Sequence, residues 1–408
     1  MNTRYLTLGS MSGLIAGIAL GLAAYAKQDA GLLTASRFFE AFGMLWTNCL
    51  GLLVAPMIFV SVFLAVLSFA RTSTAGKIGI SAFLVHAVIL AVTALLTVTI
   101  SLWIVPRLPV GLPAPGASLE PVPDSGDTPR LPGGLAAVVT LEPVMKPVRD
   151  NLLPVIAVTF LLALASTRLD NNRRKALTDF FRRTALRLTA LLNGILLLLP
   201  AAVFGLSFAL AAETGLSLAG VVTAFIILTS LLLILYTLAL YIPASVGGRI
   251  PLRIYAAALW PSQAVAAGTR SSLACLPTLL EGAEKLNLPK PAAGFVLPLS
   301  VSTFKLTRAV SSPLKLIFLA HVYGIDLSPA TIAGFVATSL FLSFSTPGIP
   351  SGGTYTILPL YLAAGIPMEG IVLLKGVDAI PDIFKTILHV SEGMAVTSIV
   401  SRKERKIP

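Results

Sequence analysis

Five ionisable residues near the C-terminus follow a helical rhythm. Asp378, Asp382, Lys385 and His389 stand at i, i+4, i+7 and i+11, and Glu392 continues the series by one turn. At about 100° per residue these positions share one narrow stripe, flanked by Thr386, while Ile380, Ile383 and Ile387 occupy the opposite face. The surrounding segment is apolar enough to enter a bilayer, where ionisable side chains are rare and face a cavity or a partner. A local ladder, with Asp382 and Lys385 satisfying each other, explains part of the pattern. It does not explain five such groups on one face, so the stripe is read as functional.

A second cluster lies upstream. Ser300-Val301-Ser302-Thr303-Phe304-Lys305-Leu306-Thr307-Arg308 interrupts an apolar helix with two cations and four hydroxyls, and Lys315 follows two turns later. With Arg270 and Lys385 this gives five cations against the acids Asp378, Asp382 and Glu392. Fixed positive charge in a low-dielectric cavity suits an anionic ligand, because unpaired burial is costly.

Two further segments supply the frame for such a cavity. In 251–290 an apolar arm from Ala256 to Gly268 leads to Thr269-Arg270-Ser271-Ser272 and a second arm ending near Leu286. In 331–367 an apolar arm to Phe344 leads to Ser345-Thr346-Pro347-Gly348-Ile349-Pro350-Ser351-Gly352-Gly353 and then to apolar residues again. Each arm has about a dozen residues, too few to cross a bilayer. A short arm, a small polar tip and a return arm describe a re-entrant helical hairpin, tolerated at membrane depth only inside protein or beside a wet cavity. Two such hairpins in corresponding places of two halves point to a binding site between inverted repeats. Backbone N–H groups at the tips add to the preference for a carboxylate or phosphate.

These elements require a membrane body to hold them. The chain has 408 residues, 56% hydrophobic and 12% charged, with mean hydropathy +0.88; soluble domains carry about 25% charged residues. Eight spanning stretches are expected near 7–27, 41–70, 78–105, 151–167, 186–212, 217–243, 292–321 and 369–400. The first reads as a retained helix, not a removed signal. Arg71 and Lys77, the basic run from Arg168 to Arg187, and the tail Arg402, Lys403, Arg405 and Lys406 fall on one side if the spans alternate. That side is cytoplasmic, with both termini inside the cell. The connection 106–150, with ten prolines, falls outside as an extended loop. The net charge of +12 is thereby assigned to loops and not to nucleic-acid binding. Cys49 and Cys275 make no disulfide framework.

The chain resembles the glutamate-transporter, or dicarboxylate/amino acid:cation symporter, family. Thr269 to Ser272 followed by Leu276-Pro277 resembles the serine-rich tip of its first hairpin, and Pro298-Leu299-Ser300 the start of its seventh helix. Ser343 to Gly353 resembles its second hairpin tip, and Gly376-Val377-Asp378-Ala379-Ile380-Pro381-Asp382 its eighth-helix signature. Leu53 to Phe59 and Leu152-Leu153-Pro154 are similar to second- and fourth-helix motifs, so the match covers nearly the whole chain. The resemblance implies an all-α polytopic membrane protein of eight transmembrane helices and two re-entrant hairpins, arranged as inverted repeats and working as an elevator. Residues 1–250 would be mainly scaffold, with the third span partly in the moving body, and 251–408 would be the transport core. A homotrimer in the inner membrane is implied. So are roles: Asp382 binds a substrate amino group, Lys385 replaces the arginine that grips a carboxylate, Thr386 binds substrate, Ser271 and Ser272 lie near the substrate carboxylate, and Ile349, Pro350, Ser351, Gly352 and Gly353 cap the site.

The departures are informative. The family's Asn-Met-Asp-Gly-Thr motif is matched by Phe304, Lys305, Leu306, Thr307 and Arg308. Sodium, like other hard cations, needs several oxygen ligands; Phe and Leu side chains offer none and the cations repel it. The sodium sites are thus expected to be dismantled, with Lys305 and Arg308 supplying fixed charge, and Arg270, Lys305, Arg308 and His389 are expected among the substrate-binding residues. Coupling would pass to protons through Asp378, His389 or Glu392, or be absent. Lys385 presents a point charge where a planar fork is usual. The function expected is secondary transport of a small organic anion or amino acid. A non-transporting sensor on the same scaffold is the alternative. No His-Glu-x-x-His or Gly-x-Ser-x-Gly pattern supports an enzyme, and neither cofactor nor metal is expected.

Overall fold

The computed structural model describes residues 3–72, 76–111, 152–302, 304–343 and 357–403. These residues are mostly helical, with no strand among them. We number the helices α1 (Thr3–Lys27), α2 (Ala30–Thr72), α3 (Gly76–Ile104), α4 (Leu152–Ser166), α5 (Asn171–Leu196), α6 (Leu199–Thr214), α7 (Leu216–Gly248), α8 (Leu252–Thr269), α9 (Leu276–Lys285), α10 (Lys290–Ser302), α11 (Thr307–Val322), α12 (Pro329–Ser343), α13 (Leu358–Ala363), α14 (Met368–Gly376) and α15 (Pro381–Val400). Among the described residues, segments in α1, α3, α7 and α15 are long and apolar enough to cross a membrane. Leu95 on α3 and Leu231, Leu238 and Val246 on α7 are exposed, a display that suits contact with lipid and not with water.

Three expected spans differ from the sequence reading. The stretch 186–212 is two helices, because α5 begins inside the charged connection at Asn171 and stops at Leu196. The stretch 292–321 is broken between Ser302 and Thr307, at the cluster of polar and cationic residues. The stretch 369–400 is broken between Gly376 and Pro381. Proline at 381 provides a preferred helix start and prevents a continuous hydrogen-bond ladder through the break.

α1 and α6 meet along a seam that the sequence carries as Gly9, Gly13, Gly17 and Gly21. A Cβ at Gly13 would stand 2.5 Å from the Pro200 carbonyl oxygen, at Gly17 2.6 Å from that of Phe204, and at Gly21 2.6 Å from that of Phe208. Backbones approach this closely only where side chains are missing, the usual device of helix pairs in lipid. α2 packs on α6, α4 and α5, while α15 packs on α7, α8 and α10.

α8 and α9 form a hairpin. Its first arm has 18 residues, longer than the dozen expected, because the helix starts at Leu252 rather than Ala256; the second arm has 10. Arg270 caps α8 with φ +52°, in the left-handed region that turns the chain back. One core unites this hairpin with its neighbours: Tyr255 and Leu259 of α8, Leu279 of α9, Leu297 of α10 and Met394 of α15. The second expected hairpin is represented by α12 and α13; its tip, including Ile349, Pro350, Ser351, Gly352 and Gly353, lies outside the described residues, as does most of the loop 106–150.

Candidate functional site

The break before α11 exposes helix-terminal N–H groups that need acceptors. Leu306 holds the N-cap position of α11, and its N–H donates to Glu392 Oε2 on α15 at 3.3 Å. A carboxylate from another helix thus does the work of a cap, in the place where the helix dipole favours negative charge. The other carboxylate oxygen, Oε1, meets His86 Nδ1 from α3, and both side chains are fully buried. The His86 ring lies on Phe304 of the break, with centroids 4.1 Å apart and planes 7° from parallel. Two separate pieces of chain, α3 and the break, therefore converge on Glu392 of α15.

One turn earlier on α15, His389 joins the same region to the hairpin. Its Nε2 is 3.0 Å from the Ser300 carbonyl oxygen and its Nδ1 is 2.9 Å from Ser272 Oγ. A carbonyl can only accept, so the network assigns the proton to Nε2 and leaves Nδ1 to accept from the serine hydroxyl. His389 is a central residue of α15, so the turn between α8 and α9 ends against the middle of a spanning helix. The adjacent Ser271 is used locally: its Oγ accepts from the Ala274 N–H at 3.4 Å. Arg270 is half-buried at the same turn. The Ser300 hydroxyl is buried and has no hydrogen-bond partner among the described residues.

A second network surrounds the break before α15. Lys385 Nζ lies 2.6 Å from Asp378 Oδ1 and 2.9 Å from Asp382 Oδ1. Lys375 Nζ lies 3.1 Å from Asp378 Oδ2, so both oxygens of the buried Asp378 carry a lysine. The helical stripe persists across the break because the Asp382 N–H donates to the Asp378 carbonyl at 2.8 Å. Thr386 Oγ1 donates to the Asp382 carbonyl at 2.8 Å. Lys315, 4% exposed, stands over the Phe225 ring at 5.4 Å, and Asp378 and Lys385 act on it electrostatically.

Arg308 takes a different position. It is 7% exposed, and its Nη1 donates to the Leu342 carbonyl at 2.9 Å, in the last turn of α12. A cation there satisfies a carbonyl that the helix leaves over and complements the negative end of its dipole. Lys305 is half-buried, and Arg308 and Glu392 are its charged neighbours.

The geometry brings Ser272, Lys305, His389 and Glu392 together in one cluster, and Asp378, Asp382, Lys385 and Thr386 in another. Lys385, read from the sequence as a cation facing a ligand, is engaged by two carboxylates. Two residues, Lys375 and Tyr361, and the partnership of a third, His86, escaped sequence reasoning. Lys375 lies at i−3 from Asp378, a spacing that could have revealed it. Tyr361, whose hydroxyl donates to the Ser312 carbonyl at 3.1 Å, has Asp378 and Arg308 as charged neighbours. His86 had no local signal, because its partner lies 306 residues away.

Comparison with known proteins finds relatives along nearly the whole chain. Over 402 residues the chain is 23% identical to the proton/glutamate-aspartate symporter of Escherichia coli K12, covering 96% of this chain and 91% of the relative. It is 23% identical to the C4-dicarboxylate transport protein of Bacillus subtilis over 421 residues, covering 98% and 94%. A 137-residue stretch is 31% identical to mouse excitatory amino acid transporter 3, covering 33% of this chain and 26% of that one. The profile of the sodium:dicarboxylate symporter family matches residues 6–403. The chain is therefore a member of the sodium:dicarboxylate symporter family, a family of membrane transporters.

Proposed function

We propose that this protein is a secondary carrier for a small organic anion, a dicarboxylate or an acidic amino acid, and that sodium does not drive it. Residues 251–408 form the moving body and carry α3 with them in part, while the rest of 1–250 is the scaffold of an elevator. The protein is a trimer in the inner membrane with both termini in the cytoplasm. Its ligand binds among Arg270, Ser271, Ser272 and the second hairpin tip on one side and Asp382, Lys385, Thr386 and His389 on the other.

The observation that carries the reading is the buried Arg308 guanidinium at the end of α12. A coupling cation bound between α11 and the second hairpin would have to share that space with a fixed positive charge. The Coulomb cost of two unit charges about 4 Å apart is roughly 4 kcal/mol even at an effective dielectric of about 20. Phe304 and Leu306 add no side-chain oxygen. The substrate class follows from the excess of cations in the two clusters: Arg270, Lys305, Arg308, Lys315, Lys375 and Lys385 stand with the acids Asp378, Asp382 and Glu392 among the described residues. It also agrees with the substrates after which the relatives are named, glutamate, aspartate and C4-dicarboxylates.

Uptake of radiolabelled L-aspartate and succinate into proteoliposomes tests this. Accumulation that persists when choline replaces sodium supports the reading. Dependence on sodium removes the ion assignment, and absence of any flux removes the carrier.

A further inference from the structure

We propose that His86 and Glu392 together form a proton-binding site that loads in concert with the anionic substrate, and that Lys305 converts proton binding into substrate affinity. The inference rests on the carrier reading above and specifies its coupling.

The candidates differ in their freedom to take a proton. Asp378 has a lysine on each oxygen, so protonating it would leave two half-buried ammonium groups facing each other. His389 already donates from Nε2 to a carbonyl and accepts at Nδ1 from Ser272; a second proton there would collide with a hydroxyl hydrogen unless Ser272 turned away. Glu392 has neither constraint. One of its oxygens faces an imidazole nitrogen and the other a backbone N–H. With His86 as the neutral tautomer protonated at Nδ1, the pair holds one proton between Nδ1 and Oε1 and carries a net charge of −1. A proton from bulk water adds to the pair and makes it neutral, as imidazolium with carboxylate or as imidazole with carboxylic acid. It returns to water on the opposite side. No other bond changes.

Among the described residues, the charged and titratable groups around the pair include Lys305, Arg308 and His389. Lys305, from the break, is the cation beside Glu392, with Arg308 beyond it. His389 lies one turn away on the same helix, with Lys305 and Glu392 as its own charged neighbours. The Leu306 N–H and the Phe304 ring are further contacts from the break. While Glu392 is charged it compensates Lys305. Once the pair is neutral, Lys305 has an unmatched positive charge at the edge of the cluster that holds Ser272 and His389, and an anionic substrate supplies the missing negative charge. By linkage, the bound anion raises the affinity for the proton by the same factor. Both partners are fully buried, so the low-dielectric surroundings strengthen this exchange of charges.

The test uses purified full-length protein and isothermal titration with succinate and L-aspartate, in phosphate and in Tris at the same neutral pH. Because the two buffers differ in ionisation heat, the difference between them counts the protons taken up. Wild type is expected to take up about one proton per anion, with affinity falling up to about tenfold per pH unit on the alkaline side. Glu392→Gln imitates the loaded carboxyl and keeps an acceptor for Leu306, so its binding is expected to be independent of pH and of buffer. His86→Asn is expected to remove or strongly shift the pH dependence. Proton uptake that persists in a folded Glu392→Gln or His86→Asn protein overturns the assignment, as does loss of all binding in Glu392→Gln. Wild-type binding without proton uptake overturns it whatever the variants do, and leaves the carrier reading intact. No binding of either acid, together with no flux, defeats the carrier reading itself.

Discussion

The Lys385 ammonium lies 2.6 Å from a carboxylate oxygen of Asp378, across the break that precedes α15. Lys375 holds the other oxygen from the opposite side of the break. The two halves of this interrupted helix are therefore joined by charge as well as by the chain. Asp378→Asn leaves two lysines facing a neutral amide in a buried place. A loss of about 3–5 kcal/mol is expected, seen as a lower midpoint of unfolding in detergent. Pairing it with Lys375→Met should restore part of the loss, and a double-mutant cycle measures the coupling.

Arg308→Met removes a charged donor from the buried Leu342 carbonyl. About 1.5–3 kcal/mol of stability should disappear. Neutralising Lys305 at the same time is expected to abolish anion binding or to make it respond to sodium. Sodium-free transport at the wild-type rate by this double variant would remove the role assigned to fixed charge.

Ser272 ties the turn of the first hairpin to His389. Ser272→Ala is expected to cost about 1 kcal/mol and to loosen the turn. Cys275 is buried three residues further on, with its thiol 3.2 Å from the Ser271 carbonyl. In a Cys49→Ser background its modification by a thiol reagent should accelerate when Ser272 becomes alanine. An unchanged rate would mean that this hydrogen bond does not hold the hairpin closed.

The α1–α6 seam predicts a contrast between glycines. Gly17→Val forces a side chain into the Phe204 carbonyl and should destabilise the protein by about 1–3 kcal/mol. Gly220→Ala on α7, where a Cβ meets nothing within 4 Å, should be neutral or slightly stabilising. Equal effects at the two positions would contradict the close packing.

A bound anion should stabilise the folded protein by mass action. Succinate or L-aspartate at about 100 times its dissociation constant adds roughly 2.7 kcal/mol, visible as a rise in melting temperature. That rise should be the same in sodium and in choline chloride.

Much of this arrangement was legible in local pattern. The stripe from Asp378 to Glu392 could be read because helical spacing turns sequence distance into direction, and the hairpin turn at Arg270 because short apolar arms cannot cross a bilayer. The interruptions were harder. The segments 292–321 and 369–400 looked continuous because hydropathy averages over a window, so Lys305 and Asp378 were expected on unbroken helices. The Lys385 pairing with Asp382 was foreseen, but its stronger hold on Asp378 depends on the geometry of the break. The pairing of His86 with Glu392 could not be found. An imidazole in an apolar run acquires meaning only when folding brings Glu392 to it, and nothing near either residue announces the other. The Arg308 contact with Leu342 is likewise a product of tertiary packing.

The glycine seam has a mechanical corollary. Its repeat of four residues corresponds to about 6 Å along the helix axis, and Phe204, Ser207 and Phe208 of α6 are seated at the notches themselves. Gradual slippage of α1 past α6 is thus blocked by hard contact, and the two helices behave as a single strut. Any large displacement within this protein must be taken up at joints elsewhere, with that strut carried along whole or left standing.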